Sequence, residues 1–120
     1  MNWSYLKDQY RPSKNWIILN QSLDGHITWD KKGKCDSWDH CECLIALSIY
    51  EEWEAFWKGV NWFFDNINDK GLIFAEFQNG KPSKKHFESH HAPYIILPLF
   101  QALLIDKKQD YKNILSKIQL

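Results

Sequence analysis

The sequence lacks several things that would have narrowed its function at once. No apolar run approaches the roughly 18 residues that span a bilayer. Lysine plus arginine (15) equals aspartate plus glutamate (15), so the formal net charge is zero. That leaves no basic footprint for nucleic acid or an anionic membrane, and little colloidal repulsion, as suits a chain that associates with something. Proline (4) and glycine (5) are scarce, which argues against a linker or low-complexity segment. The three cysteines, Cys35, Cys41 and Cys43, are odd in number and point to free thiols in a cytoplasmic chain. The start, Met1 to Tyr10, is polar and aromatic, unlike a signal peptide. No Gly-rich phosphate loop, nucleophile elbow or HExxH motif occurs.

Aromatic side chains, in contrast, are plentiful: seven tryptophans and seven phenylalanines in 120 residues, enough apolar area for one modest core and against disorder. They also expose an internal repeat. Asn15-Trp16-Ile17-Ile18 reads like Asn61-Trp62-Phe63-Phe64, an offset of 61 − 15 = 46. Carried forward without gaps, the offset pairs Asn20 with Asn66, Gly25 with Gly71, Ile27 with Ile73, Ser37 with Ser83, His40 with His86 and Glu42 with Glu88. Asp30 meets Glu76 as a conservative match. A period of this length suits two helices and a long connection.

The expected fold is therefore all-α: tandem antiparallel helical hairpins, part of an α/α toroid, with room for small β-hairpins in the long loops. Helices are predicted near 13–21, 38–50, 52–67, 92–105 and from Gln109 onward. In the third, Trp53, Phe56, Trp57, Val60 and Phe64 make a helical stripe; in the fifth, Tyr111, Ile114, Leu115 and Ile118 do. Pro93 suits a first turn, whereas Pro98, placed inside the fourth helix, should kink it. The chain divides into units of about 1–50 and 51–106 within a single domain, with the start of a third at 107–120. Apolar ends left by two and a half units call for self-association or for further repeats, so the chain reads as a fragment or a subunit.

Polar chemistry gathers at the two loop-to-helix junctions: Asp36 to Cys43, and His86 to His91 followed by Tyr94. If both junctions face one cavity mouth, Glu42 and Glu88 share it, with His40 and His86 nearby. Carboxylates and imidazoles in a cleft can exchange protons, because burial and neighbours tune their pKa values. Asp39, Glu88, His40, Glu42 and His91 are the candidate catalytic residues. Trp29, Trp38, Asp30, Glu76, His90 and Tyr94 are the candidate substrate contacts, since indole faces stack on rings and apolar chains. Against this, Asp39-x-x-Glu42 also fits a capping box, which needs no catalysis. A metal is disfavoured: the C-x5-C-x-C spacing points Cys41 and Cys43 away from each other on a helix, and His86, His90 and His91 do not share one. No cofactor is required, and zinc is not expected.

The stretch Trp16 to Ile27, with Gln21 and Gly25, resembles the QW-type repeat of the squalene-cyclase and prenyltransferase-like toroids, without that repeat's final Trp. The second copy keeps Gly71 and has Ile67 in place of the Gln. Trp38 to Leu47 and Glu88 to Asp106 resemble inner-helix segments of the same family, so the likeness covers most of Trp16 to Asp106. It implies a six-hairpin barrel with a central cavity for an isoprenoid or other apolar, cyclic substrate. The D-x-D-D cyclase motif and the prenyltransferase zinc set are missing, so the activity itself does not transfer. Glycan-processing six-hairpin toroids share the architecture, and fold analogy does not choose between them. A non-catalytic interaction module and a truncated reading frame are the other readings.

Overall fold

A computed structural model describes residues 2–106. The order is α1 (Trp3–Leu19), β1 (Lys34–Asp36), α2 (Ser37–Ile49), α3 (Trp53–Asp65), β2 (Phe74–Gln78), β3 (Lys81–Phe87), a 3₁₀ turn (Pro93–Ile95) and α4 (Ile96–Ile105). The three strands form one antiparallel sheet in the order β1-β2-β3. The fold is mixed α and β, which overturns the all-α expectation and removes the basis for a toroid of helical hairpins. The sequence carried the reason. Asn79-Gly80, both at positive φ (+50° and +77°), makes a tight hairpin turn. Before it, Phe74 to Gln78 alternates, with Ala75 and Phe77 buried against the core. After it, Lys81, Lys84 and Lys85 lie on an exposed edge strand, where charge discourages strand-to-strand association.

Helix α1 begins ten residues before the expected Ser13, because the Asn2 side chain accepts from the Tyr5 N–H (3.2 Å) and opens the helix there. It runs through Pro12. Its grip on the body is sparse: Tyr50 donates to the Lys7 carbonyl (2.6 Å), and Lys14 pairs with Glu52 (2.5 Å). The cap of α2 is Asp36, not Asp39; Asp36 Oδ1 accepts from the N–H groups of Trp38 (2.8 Å) and Asp39 (3.3 Å). Asp39 is thereby at the third helical position, where a carboxylate favours the helix dipole. Glu42 is a turn further on, beyond any capping role. Pro98 falls in the first turn of α4, so the expected kink is replaced by a break from 3₁₀ to α geometry.

Helix α2 is central, packed on α3, α4 and β2. Leu44, Leu47, Phe56, Phe63, Phe77 and Ile95 are fully buried around it. No helix among the described residues is long and apolar enough to cross a membrane. The expected third unit, from 107 onward, lies outside the described residues.

The 46-residue offset is visible in the backbone. Asn20 ends α1 and donates its side-chain amide to the Trp16 carbonyl (2.9 Å); Asn66 ends α3 and donates to the Trp62 carbonyl (2.8 Å). Both are followed by the same turn. Ser22 N–H bonds to the His26 carbonyl (2.8 Å), and Asn68 N–H to the Leu72 carbonyl (2.9 Å). Gly25 N–H bonds to the Ser22 carbonyl (3.0 Å), and Gly71 N–H to the Asn68 carbonyl (2.9 Å). Each turn then delivers a buried isoleucine, Ile27 or Ile73. Past that point the copies diverge. The first enters α2 at Ser37, but the second makes the β2–β3 hairpin and reaches α4 only at Ile96.

Candidate functional site

The turn after α1 sends the chain back along α2, and a cleft of about 510 Å³ opens between them. Trp16 and Ile17 line it from α1, Thr28 and Trp29 from the returning segment, and Asp39, Glu42 and Cys43 from α2. Positions 39, 42 and 43 are i, i+3 and i+4, so one helix face presents all three. The returning segment is held at both ends. Thr28 donates its N–H and its hydroxyl to the Asn20 carbonyl (both 3.1 Å), and Ile27 N–H donates to His40 Nδ1 (3.2 Å). The Trp29 N–H donates to the Lys34 carbonyl (2.8 Å), and the Lys34 ammonium sits 3.7 Å from the Trp29 ring centroid.

Trp29 also lies beside the Asp39 side chain in the cleft wall. Burial, followed by the neighbouring carboxylates Asp36 and Glu42, raises Asp39 above the usual carboxylate range; the Trp29 side chain and the nearby His91 offset this in part. Glu42 accepts from the Tyr94 hydroxyl (3.2 Å). No basic side chain lines this cleft among the described residues. It is an apolar slot with a carboxylate pair on one wall.

Other predicted site residues lie elsewhere. Glu88, Trp38, Glu76, His90 and His91 line a second hollow of about 350 Å³ together with Asp36, Lys84 and His86. The shared mouth expected for Glu42 and Glu88 is therefore absent: the long β2–β3 hairpin puts Glu88 after a strand, whereas Glu42 is inside a helix. In the second hollow Glu88 pairs with His86 (2.9 Å). Glu76 is fixed between Lys34 (3.3 Å) and Lys84 (3.2 Å); burial alone would raise it, but hydrogen bonds and charge from the two lysines outweigh that and hold it low. His91 Nδ1 is 2.6 Å from Ser37 Oγ, and burial lowers its pKa against the pull of Asp36. Trp38 packs edge-on to His90 (centroids 5.1 Å apart) and to Tyr94 (5.7 Å). Asp30 lines a third hollow.

His40 faces none of them. It is 1% exposed, its Nδ1 accepts from Ile27, and its Nε2 donates to the Gly59 carbonyl (2.9 Å). Burial drives its pKa down to about 4 although the Gly59 bond favours the charged form. The ring is neutral at pH 7, with both nitrogens committed to backbone, and acts as a staple between the returning segment and α3. Its counterpart His86 is exposed on β3.

No group of three or more His, Cys, Asp or Glu residues that could hold a metal occurs among the described residues. Burial raises all three thiols, Cys43 up to about 12, so each is protonated at neutral pH. The sequence reading missed Trp16, Ile17, Thr28 and Cys43 as cleft residues. Trp16 sits at helical spacing and so reads as core, yet it is 47% exposed. No protein-family model matches the chain, and no curated protein matches it.

Proposed function

We propose that the protein binds a small organic molecule with a flat apolar or cyclic face and a hydrogen-bond-donating or positively charged group, held in the α1–α2 cleft. One observation carries this reading: two partly exposed indoles and two carboxylates share a single hollow whose lining residues include no base, the Lys34 ammonium lying against the Trp29 ring. Trp16 and Trp29 supply rigid apolar walls at low entropic cost. Asp39 and Glu42 accept from hydroxyl or ammonium donors. A diphosphate-bearing ligand is disfavoured, because it would bring anions against two carboxylates.

The test is titration with three compounds sharing one alicyclic ring, an amine, an alcohol and a carboxylate, followed by calorimetry. The amine should bind best and the carboxylate worst. Asp39→Asn should weaken the amine by about tenfold, roughly 1.4 kcal/mol. Trp29→Ala should weaken amine and alcohol alike. Equal binding of amine and carboxylate, or no binding by any of the three, defeats the proposal.

A second reading, self-association, is favoured by the outer face of α4. Leu97, Phe100 and Leu104 are 47%, 58% and 56% exposed at i, i+3 and i+7, an apolar stripe with solvent on it. Light scattering of the wild type and of Phe100→Glu tests it: a dimer that the substitution dissociates supports this reading, and a wild-type monomer at all concentrations removes it.

A further inference from the structure

The turn after α1 holds a feature that neither the cleft nor the repeat needs. Ser22, Asp24 and His26 face one another across it. Asp24 Oδ1 lies 2.5 Å from His26 Nδ1, and His26 Nε2 lies 3.1 Å from Ser22 Oγ. The Asp24 carboxylate also accepts from the His26 backbone N–H (3.2 Å), which fixes it beside the ring. With Nδ1–H turned to Asp24, the free electron pair of Nε2 meets the Ser22 hydroxyl, so the order of contacts is carboxylate, imidazole, hydroxyl. His26 is only 5% exposed and packs against Trp62. Ser22 is partly open to solvent, and Ser22 and His26 both line the third hollow, about 460 Å³, with Lys31 and Asn79 on its wall.

The internal repeat supplies the control for this arrangement. The second turn has the same two backbone hydrogen bonds and the same left-handed glycine, but Asn68, Lys70 and Leu72 occupy the three positions. There the Asn68 side chain closes the turn by accepting from the N–H groups of Lys70 (2.9 Å) and Leu72 (3.0 Å). The turn therefore folds without a serine, an aspartate or a histidine at those positions. Asp24 does close its own turn, by accepting the His26 N–H as Asn68 accepts the Leu72 N–H, but turn geometry does not account for the contact of the His26 ring with both Asp24 and Ser22.

We propose that Ser22 is the nucleophile of a small ester-hydrolysing site, with His26 as its general base and Asp24 as the residue that positions His26. Ser22 Oγ attacks the acyl carbon while its proton passes to His26 Nε2. The bond from that carbon to the leaving oxygen breaks, and the leaving oxygen takes the proton from His26. Water then attacks the acyl-Ser22 ester and gives a proton to His26. The Oγ–acyl bond breaks, Oγ recovers the proton, and the carboxylic acid leaves. Of the donor-bearing side chains in the wall of the hollow, Asn20, Gln21 and Thr28 give their donors to backbone carbonyls, and Lys31 and Asn79 are the ones offered to the oxyanion. The size of the hollow and the openness of Ser22 suit an ester with a small acyl group.

The experiment exposes the full chain to an alkyl fluorophosphonate and follows the adduct by peptide mass mapping, with p-nitrophenyl acetate hydrolysis in parallel. The adduct should map to Ser22 and vanish in Ser22→Ala. His26→Gln should slow labelling and hydrolysis by about 100-fold or more. Asp24→Asn should slow both by a smaller factor, and Asp24→Glu should restore part of the loss, which a purely structural aspartate would not do. The triple variant Ser22→Asn, Asp24→Lys, His26→Leu installs the residues of the second turn, so it should keep the wild-type circular dichroism and lose all labelling. No adduct on Ser22 in the wild type, or equal labelling in folded His26→Gln, overturns the proposal.

Discussion

The two turns at 20–28 and 66–74 have one backbone path and two chemistries. What they share is Asn at the helix end, Gly at the left-handed position and Ile entering the core. What they do not share is the set of side chains at three turn positions: Ser22, Asp24 and the buried His26 in one, Asn68, Lys70 and Leu72 in the other. The repeated residues are those the path requires. The unrepeated ones close each turn in different ways, Asn68 in one and Asp24 in the other, and only the first copy adds a ring and a hydroxyl, which is where chemistry should be sought.

The comparison breaks most sharply at the glycines. Gly25 has φ +108°, and a Cβ there would lie 2.1 Å from the Lys58 carbonyl oxygen, a backbone atom that cannot swing away. Gly71 has φ +73°, inside the left-handed region that other residues visit at modest cost. Gly25→Ala should therefore cost about 3–4 kcal/mol, strain plus clash, and Gly71→Ala about 1 kcal/mol. Urea unfolding of both variants measures the gap; equal losses would mean that the first turn is no more confined than the second.

His40 and His86 sharpen the contrast one step further along the repeat. Burial holds the folded His40 pKa down at about 4, below the ordinary imidazole value of about 6.5, so the unfolded chain binds more protons between those values. Stability is then complete above about pH 6.5 and falls as the pH drops toward about 4, by about 3 kcal/mol from this ring. His91, lowered in the same direction, adds to the slope. Denaturant midpoints across that range should show the fall, and His40→Gln should flatten it. His40→Ala leaves the Ile27 N–H and the Gly59 carbonyl without their partner in the core, and should cost about 2–3 kcal/mol. His86→Ala, on the exposed edge strand, should stay within about 0.5 kcal/mol.

The smallest effect tests what the copies have in common. Asn20→Ala and Asn66→Ala each remove one amide-to-carbonyl bond at a helix end, so each should cost about 0.5–1 kcal/mol. Thermal unfolding should place the two variants side by side. A large difference would mean that the shared geometry hides unequal roles.

Individual helices were legible along the chain, but the fold class was not: the all-α reading missed the three-stranded sheet. The stripe at Trp53, Phe56, Trp57, Val60 and Phe64 is helical, and α3 realises it. The 46-residue offset located both turns. The hairpin was legible too, in Asn79-Gly80 and the alternation before it, but helical periodicity on either side drew the reading toward a loop. The cap of α2 could not be assigned from spacing alone, since Asp36 and Asp39 are both acceptable there, and only backbone geometry separates them. The matching of Glu42 with Glu88 rested on carrying the offset past the point where the second copy inserts a strand.

The sequence by itself determined the local paths: which residues end helices, which glycines turn, and which isoleucines point inward. These are properties of neighbouring residues, and short-range sterics and hydrogen bonding settle them. Tertiary structure alone decided which carboxylates share a cleft, why His40 is a buried staple while His86 meets solvent, and that Trp16 lines a wall. Those depend on packing between segments far apart in the chain, where burial and partners set each side chain's charge and reach.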